Sequence, residues 1–149
     1  MEKLVQSMKV LLADTFAFYI KTHGFHWNTE GMNFPQYHAL FDLIYNEVYD
    51  SVDTMAEHIR QLDSYAPAGL KKFSELATIK DEDQIPSAKG MIEQLIKDNE
   101  VLLKHIEATY ELSEKEKKRG LSNFLADRQA AHSKHRWQLT ATIKNVGSQ

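Results

Sequence analysis

The sequence predicts an all-α chain: a four-helix bundle with one long crossover, carrying a short helix, between the second and third helices. Three observations point there. Apolar residues recur at helical spacing through four long segments. Glycine (6 residues) and proline (3 residues) are too scarce for a turn-rich β fold. The link between the second and third segments, about 22 residues, is long enough to travel the length of a bundle. At 149 residues, 42% hydrophobic and 26% charged, the chain reads as one domain over 1–149 with a full core.

The first helix is expected from about Lys3 to His26, with Leu4, Met8, Leu11, Leu12, Phe16 and Tyr19 on one face. Asn28, Gly31 and Asn33 form a turn. Phe34 and Pro35 open the second helix, where the missing proline N–H costs nothing. That helix runs to about Asp63. Tyr65 to Pro86 is the crossover, and Phe73 to Leu76 is its candidate short helix. Ser87 is the expected N-cap of the third helix, whose stripe is Met91, Ile92, Leu95, Leu102, Leu103, Ile106 and Tyr110. Two starts compete for the fourth helix. One is a capping box at Ser113 and Glu116; the other lies at Gly120 and Ser122, with Lys115 to Arg119 as loop. Its stripe continues through Phe124, Leu125, Arg128, His132, His135, Leu139 and Ile143. Short links make helices one and two antiparallel, and likewise three and four.

Composition narrows the function. There is no cysteine, which excludes a disulfide framework and a thiolate metal site and fits a cytoplasmic protein. No basic stretch followed by an apolar core marks a signal peptide, and no apolar run approaches a membrane span. A formal charge of −3 gives no overall attraction to nucleic acid or anionic lipid.

The chemistry is concentrated around the second helix. His38 and Asp42 are four residues apart, as are Asp53 and Glu57, so each pair shares a helix face. On one continuous helix the two pairs point the same way to within roughly 20° but lie about 16 Å apart along the axis. Metal bonds are about 2 Å, so the pairs cannot share an ion within one chain. A second copy running antiparallel, with a two-fold axis near Glu47 and Val48, sets His38 and Asp42 of one chain beside Asp53 and Glu57 of the other. Leu40, Ile44, Val48, Met55, Ile59 and Leu62 fall on the opposite side of the helix wheel and face the core. A charged face opposite an apolar one is also what a solvated helix surface shows. Tyr45 and Tyr49, on the ligand side, suit a half-buried interface better. His26, followed by Trp27, sits just before this helix as a fifth ligand.

One long crossover is the ferritin-like connection, yet the Glu-x-x-His motifs that hold iron inside such bundles are missing here. Iron is therefore not expected in the bundle core. His26-Trp27-Asn28, Gly31, Phe34, His38, Asp42 and Asp53-Thr54-Met55-Ala56-Glu57 together resemble the Dps miniferritins, named for DNA protection during starvation. Asn123 to Arg128 and Trp137 resemble that family's last helix, so the likeness spans the chain. The resemblance implies a homo-oligomeric shell of twelve subunits with a ferroxidase site at each two-fold interface. Fe(II) is oxidised there, preferably by hydrogen peroxide or else by oxygen, and ferric mineral is kept inside. Carried over, His26, His38 and Asp42 come from one chain and Asp53 and Glu57 from its partner. Glu57 is the candidate bridge between two irons. Asp53 and His26 complete one of them, and His38 and Asp42 hold the second. Zinc accepts the same ligands and can substitute for iron. The chain departs from the pattern at His58, where an Arg is usual, and at Asp63, where a Gly often follows. It also lacks the basic N-terminal tail with which some members hold DNA.

Other residues stay open at this level. Trp27 either packs or quenches oxidising radicals. His23 reads as exposed, His132 and His135 as packing or surface residues, and Glu47 and Asp50 as cavity-lining or merely solvated. The rival function is a DNA-compacting structural protein with a secondary iron site. The absent tail, the uncharged residues 145–149 and the dilution of Lys115 to Arg119 by Glu116 make DNA binding doubtful.

Overall fold

Apolar periodicity becomes six helices, and no strand, among residues 1–144, the part that the computed structural model describes. They are α1 (Glu2–Asn28), α2 (Phe34–Asp50), α3 (Val52–Gln61), α4 (Leu70–Leu76), α5 (Ala88–Lys115) and α6 (Arg119–Ile143). The bundle consists of α1, the α2–α3 pair, α5 and α6; the crossover between α3 and α5 carries α4. The expectation for residues 145–149 lies outside the described residues. No helix is long and apolar enough to cross a membrane.

The core is built from the predicted stripes. Leu4, Met8, Leu11 and Leu12 of α1 pack with Ile44, Val48, Met55 and Ile59 of α2 and α3, and with Met91, Ile92, Leu95, Leu102 and Ile106 of α5. Leu121, Leu125 and Leu139 close it from α6. Tyr19 only borders this core and Phe16 stacks on Phe73 of α4 instead, because α1 is covered on more than one side; Phe18 takes the fully buried place. α1 touches α2, α3, α4 and α5.

Helix ends follow local chemistry. The Ser87 hydroxyl accepts from the Gly90 N–H at 3.0 Å and caps α5 as expected. Ser113 does not begin the last helix. It lies inside α5, with its hydroxyl on the Tyr110 carbonyl (2.7 Å) and against the Ser122 hydroxyl (2.6 Å). α5 stops where Lys117 turns left-handed (φ 56°), with Lys118 N–H on the Ser113 carbonyl and Lys117 N–H on the Glu114 carbonyl, a Schellman turn. Lys115 to Arg119 is therefore helix end, turn and helix start rather than loop alone. α3 ends the same way: Asp63 has φ 61°, and the N–H groups of Ser64 and Asp63 reach the carbonyls of Ile59 and Arg60.

The expected single second helix is two. At Ser51 the backbone stays right-handed (φ −85°, ψ −15°), but its N–H bonds the Val48 carbonyl three residues back. The Ser51 hydroxyl takes the same carbonyl at 2.6 Å. A serine bonding back into its own helix tightens and bends it. Val48 and Met55 remain buried on either side, so the core stripe crosses the joint.

Two buried polar groups tie the helices together. Asp14, wholly buried on α1, accepts from Thr78 N–H (2.6 Å), Thr78 Oγ1–H (2.7 Å) and Ile79 N–H (2.9 Å), which pins the crossover to the bundle. Burial alone would raise its carboxyl, but hydrogen bonds from His105, Ile79 and Thr78 outweigh that and hold its pKa below the ordinary aspartate value. On the other side, the Arg128 guanidinium grips Glu47 with both terminal nitrogens (2.5 and 3.0 Å), and His135 Nε2–H donates to the same carboxylate at 2.8 Å. Arg128 also donates to His132 Nε2 (3.0 Å), while His132 Nδ1–H donates to Asn99 Oδ1 (2.7 Å). His132 and His135 are thus buried members of a network spanning α2, α5 and α6, and Glu47 is structural rather than freely solvated.

Two outcomes follow from this packing. Asp63 sits in a conformation that favours glycine and makes no side-chain hydrogen bond among the described residues. Asp63→Gly should raise the urea midpoint, a gain of about 0.5–1 kcal/mol; an unchanged midpoint would show that the aspartate side chain supports the turn. The second outcome concerns pH. Burial, then Arg128 and His135, push the His132 pKa well below 6.5. Burial opposes the shift at Glu47, but His135 and Arg128 hold its carboxyl far below 4.5. In both cases the unfolded chain binds the proton first, so stability is full above about pH 6.5 and falls with acidification. Below 6.5 the loss runs through His132, and below 4.5 through Glu47 as well. The urea midpoint at about pH 5 should lie below that at about pH 7.5; the reverse order would contradict this network.

Candidate metal centre

The turn after α1 brings two predicted ligands face to face. Gly31 takes φ 117°, which only glycine adopts without strain, and the chain reverses into α2. His26 Nδ1 then lies 2.7 Å from the His38 carbonyl oxygen, and His38 Nδ1 lies 2.7 Å from the His26 carbonyl oxygen. The rings stack with centroids 3.7 Å apart and planes 15° apart. A carbonyl only accepts, so both Nδ1 atoms carry the proton. Nε2 is therefore the nitrogen left for a metal, and it has no partner on either ring among the described residues. Backbone bonding at one nitrogen that frees the other is the support a metal-binding histidine requires. Phe34 stacks on the far face of His38 at 4.8 Å.

Asp42 lies one turn along α2, exposed, with the Asn46 amide on its carbonyl (2.9 Å) and near its carboxylate (3.3 Å). Asp53 and Glu57 are exposed on α3, beyond the Ser51 joint. The five predicted residues thus fall into two groups: His26 and His38 meet, with Asp42 on the same helix as His38, while Asp53 and Glu57 lie on another helix. Among the described residues no three histidine, aspartate or glutamate side chains converge on one ion position. His58, next to Glu57, is half-buried against Phe124 (4.9 Å), and burial lowers its pKa although Glu57 opposes the shift.

An aromatic wall backs the histidine pair. His23 is not the exposed histidine that its position suggested. Its ring stacks on Tyr45 (3.8 Å, 11°), lies 4.3 Å from Trp27, and its Nδ1 is 2.9 Å from the Tyr19 hydroxyl. Tyr45 is 5.2 Å from the His26 ring. Burial, then the adjacent Asp42 carboxylate, keeps the Tyr45 phenol above its ordinary pKa. Tyr49 lies 4.8 Å from Tyr19, so both α2 tyrosines touch α1, Tyr45 half-buried and Tyr49 still 52% exposed. Helical spacing of Tyr19, His23 and Trp27 at i, i+4 and i+8 was a visible signal for this cluster; its pairing with Tyr45 was not.

Comparison with known proteins agrees with this architecture. The family model described as the ferritin-like domain matches residues 6–147. A low temperature-induced protein of Nostoc sp. is 30% identical over 135 residues, covering 89% of this chain and 75% of that one. The DNA protection during starvation protein of Helicobacter pylori is 29% identical over 142 residues, 95% of this chain and 99% of the other. Among solved structures, a Dps protein from Vibrio cholerae O1 superposes with a TM-score of 0.91 at 28% identity, covering 96% of this chain and 90% of its own. That protein is described as a member of a broad superfamily of ferritin-like diiron-carboxylate proteins.

Proposed function

The chain belongs to the ferritin-like family, on its Dps branch, and from that premise we propose that it is an iron-storing ferroxidase whose sites form between subunits. The observation that carries this reading is the reciprocal bonding of His26 and His38, which leaves two Nε2 atoms without a partner among the described residues, while Asp42 stands exposed one turn along α2 and Asp53 and Glu57 are exposed on a separate helix. A second chain related by a two-fold axis supplies the missing carboxylates and completes a His-and-carboxylate set.

Iron is substrate here. Neutral imidazole and carboxylate suit Fe(II), and the carboxylates suit Fe(III) better once it forms, so the ligands need no exchange during oxidation. Glu57 bridges two irons, Asp53 and His26 complete the first, and His38 and Asp42 hold the second. Two Fe(II) ions deliver two electrons to one hydrogen peroxide, which with two protons becomes two waters. Ferric product collects as mineral within a twelve-subunit shell, protecting the cell from oxidative damage. Zinc competes for the same ligands. DNA binding is weak on this reading. Twelve chains at −3 carry about −36, and the Lys115 to Arg119 run is diluted by Glu116.

Asp53→Asn with Glu57→Gln should slow peroxide-driven Fe(II) oxidation about 10–100-fold or more while leaving helix content unchanged, since both side chains stand away from the core. A folded double variant oxidising iron at the wild-type rate would remove these residues from the site.

Complementation tests the shared interface. A His38→Ala/Asp42→Ala chain and an Asp53→Ala/Glu57→Ala chain should each be inactive alone. Refolded together in equal amounts, they should recover about a quarter of the wild-type sites. Subunit exchange without recovery, or a structure with all five ligands from one chain around one metal, would contradict it.

A further inference from the structure

The aromatic wall behind the histidine pair supplies none of the five candidate ligands and only borders the core. We infer that Tyr19 and His23 form a proton-coupled redox pair that removes one-electron oxidising equivalents from the iron site. The pair's geometry stands on its own; the source of the oxidant rests on the ferroxidase reading above.

A phenol that loses an electron becomes a strong acid and must release its proton. Tyr19 O–H faces His23 Nδ1 at 2.9 Å, so a neutral imidazole stands ready to take that proton and to return it. The hydroxyl and the imidazole are held in register on one face of α1, with ring centres 5.5 Å apart. No other aromatic near the site has this arrangement. Trp27 is 61% exposed and its indole N–H has no acceptor among the described residues. Tyr45 has Asp42 beside it, and iron occupies that carboxylate during turnover. The path is short. His26 and His23 are 6.0 Å apart between ring centres, His26 and Tyr45 5.2 Å, Tyr45 and Tyr19 6.1 Å, and His23 and Tyr19 5.5 Å.

The chemistry balances. Peroxide meeting a single Fe(II) gives Fe(III), hydroxide and a hydroxyl radical. That radical takes one electron, by way of Tyr45 or Trp27, and becomes hydroxide. The electron originates on Tyr19, whose phenolic proton moves to His23 Nδ1, leaving a phenoxyl radical and an imidazolium. The next Fe(II) to arrive returns one electron to the phenoxyl, and His23 returns the proton. The sum is two Fe(II) oxidised per peroxide, with no radical released.

The pair can be tested without iron. The chain has two tryptophans, and Trp137→Phe leaves Trp27 as the only indole. In that background, azide radicals from pulse radiolysis oxidise Trp27, and the indolyl radical should pass to a phenoxyl. Adding Tyr19→Phe, which keeps the ring and its packing, should remove more than half of the phenoxyl yield. His23→Gln keeps a hydrogen-bond acceptor but not a base, and should slow the transfer and abolish its solvent deuterium effect. Unchanged yield in a folded Tyr19→Phe protein, or unchanged kinetics in His23→Gln, would overturn the pair. With Fe(II) and peroxide, Tyr19→Phe should oxidise iron at the wild-type rate but at least double the hydroxyl-radical spin adduct; an unchanged adduct would also overturn it. Wild-type protein that leaves iron unoxidised would sink the ferroxidase reading alone, because the iron-free measurement decides the pair independently.

Discussion

A buried guanidinium must be paired, and Arg128, 6% exposed, has one carboxylate to pair with: Glu47. That pairing decides where α2 can lie. Glu47 stands between the two ligand groups, five residues after Asp42 and six before Asp53, so clamping it to α6 fixes the level of both groups on the bundle. Removing Glu47 would leave the Arg128 charge buried without its carboxylate, whereas an exposed ion pair contributes about 0–1 kcal/mol. With the inner side of α2 and α3 occupied by Ile44, Val48, Met55 and Ile59, the opposite side has no freedom to turn inward. His38, Asp42, Asp53 and Glu57 are outward-facing because the core and the clamp leave them no alternative.

Much of this was legible in the amino-acid sequence, and what was not has a physical pattern. The four long helices, the Ser87 cap, the crossover and the outward face of the ligand residues all rest on local periodicity and capping. The misread features depend on partners distant in sequence or on backbone geometry that no single residue announces. Ser113 has the form of an N-cap, but its hydroxyl is used by Tyr110 and Ser122, and the true turn is made by Lys117 in a left-handed conformation. Ser51 breaks the second helix through a bond to its own Val48 carbonyl, an option open to any mid-helix serine and taken by few. Arg128, His132 and His135 at i, i+4 and i+7 lie on the apolar stripe, yet the two histidines read only as packing or surface residues. Only the fold could say that Glu47 and Asn99 join them in a buried polar network. The short helix of the crossover was placed three residues late because Leu70 to Lys72 face solvent and carry no apolar pattern.

The middle of α1 and its C-terminal half do different work. Near its middle, Asp14 spends its whole carboxylate on Thr78 and Ile79 and so holds the crossover against the bundle. Two turns later the exposed side becomes the aromatic wall. Phe16 stacks on Phe73 of α4 at 4.9 Å and lies 5.5 Å from Tyr19, so the wall is continuous from the crossover to His26. Anchoring the crossover therefore also stiffens the wall on which the histidine pair leans.

The reciprocal His26–His38 bonds carry a consequence for how a site of this kind handles its substrate. Each ring is held by the other residue's carbonyl, not by a carboxylate. On the proposed reading this firmly positioned pair offers iron two neutral nitrogen donors, which suit Fe(II) better than Fe(III). Strong attraction for Fe(III) must then come from the carboxylates, and on the proposed reading two of those belong to the other subunit. Oxidation in that arrangement moves the dominant attraction across the interface, from the histidines of one chain toward Asp53 and Glu57 of its partner. On that reading a lone chain carries both halves on separate helices, where they do not converge on one ion position among the described residues, so the chemistry proposed above depends on assembly.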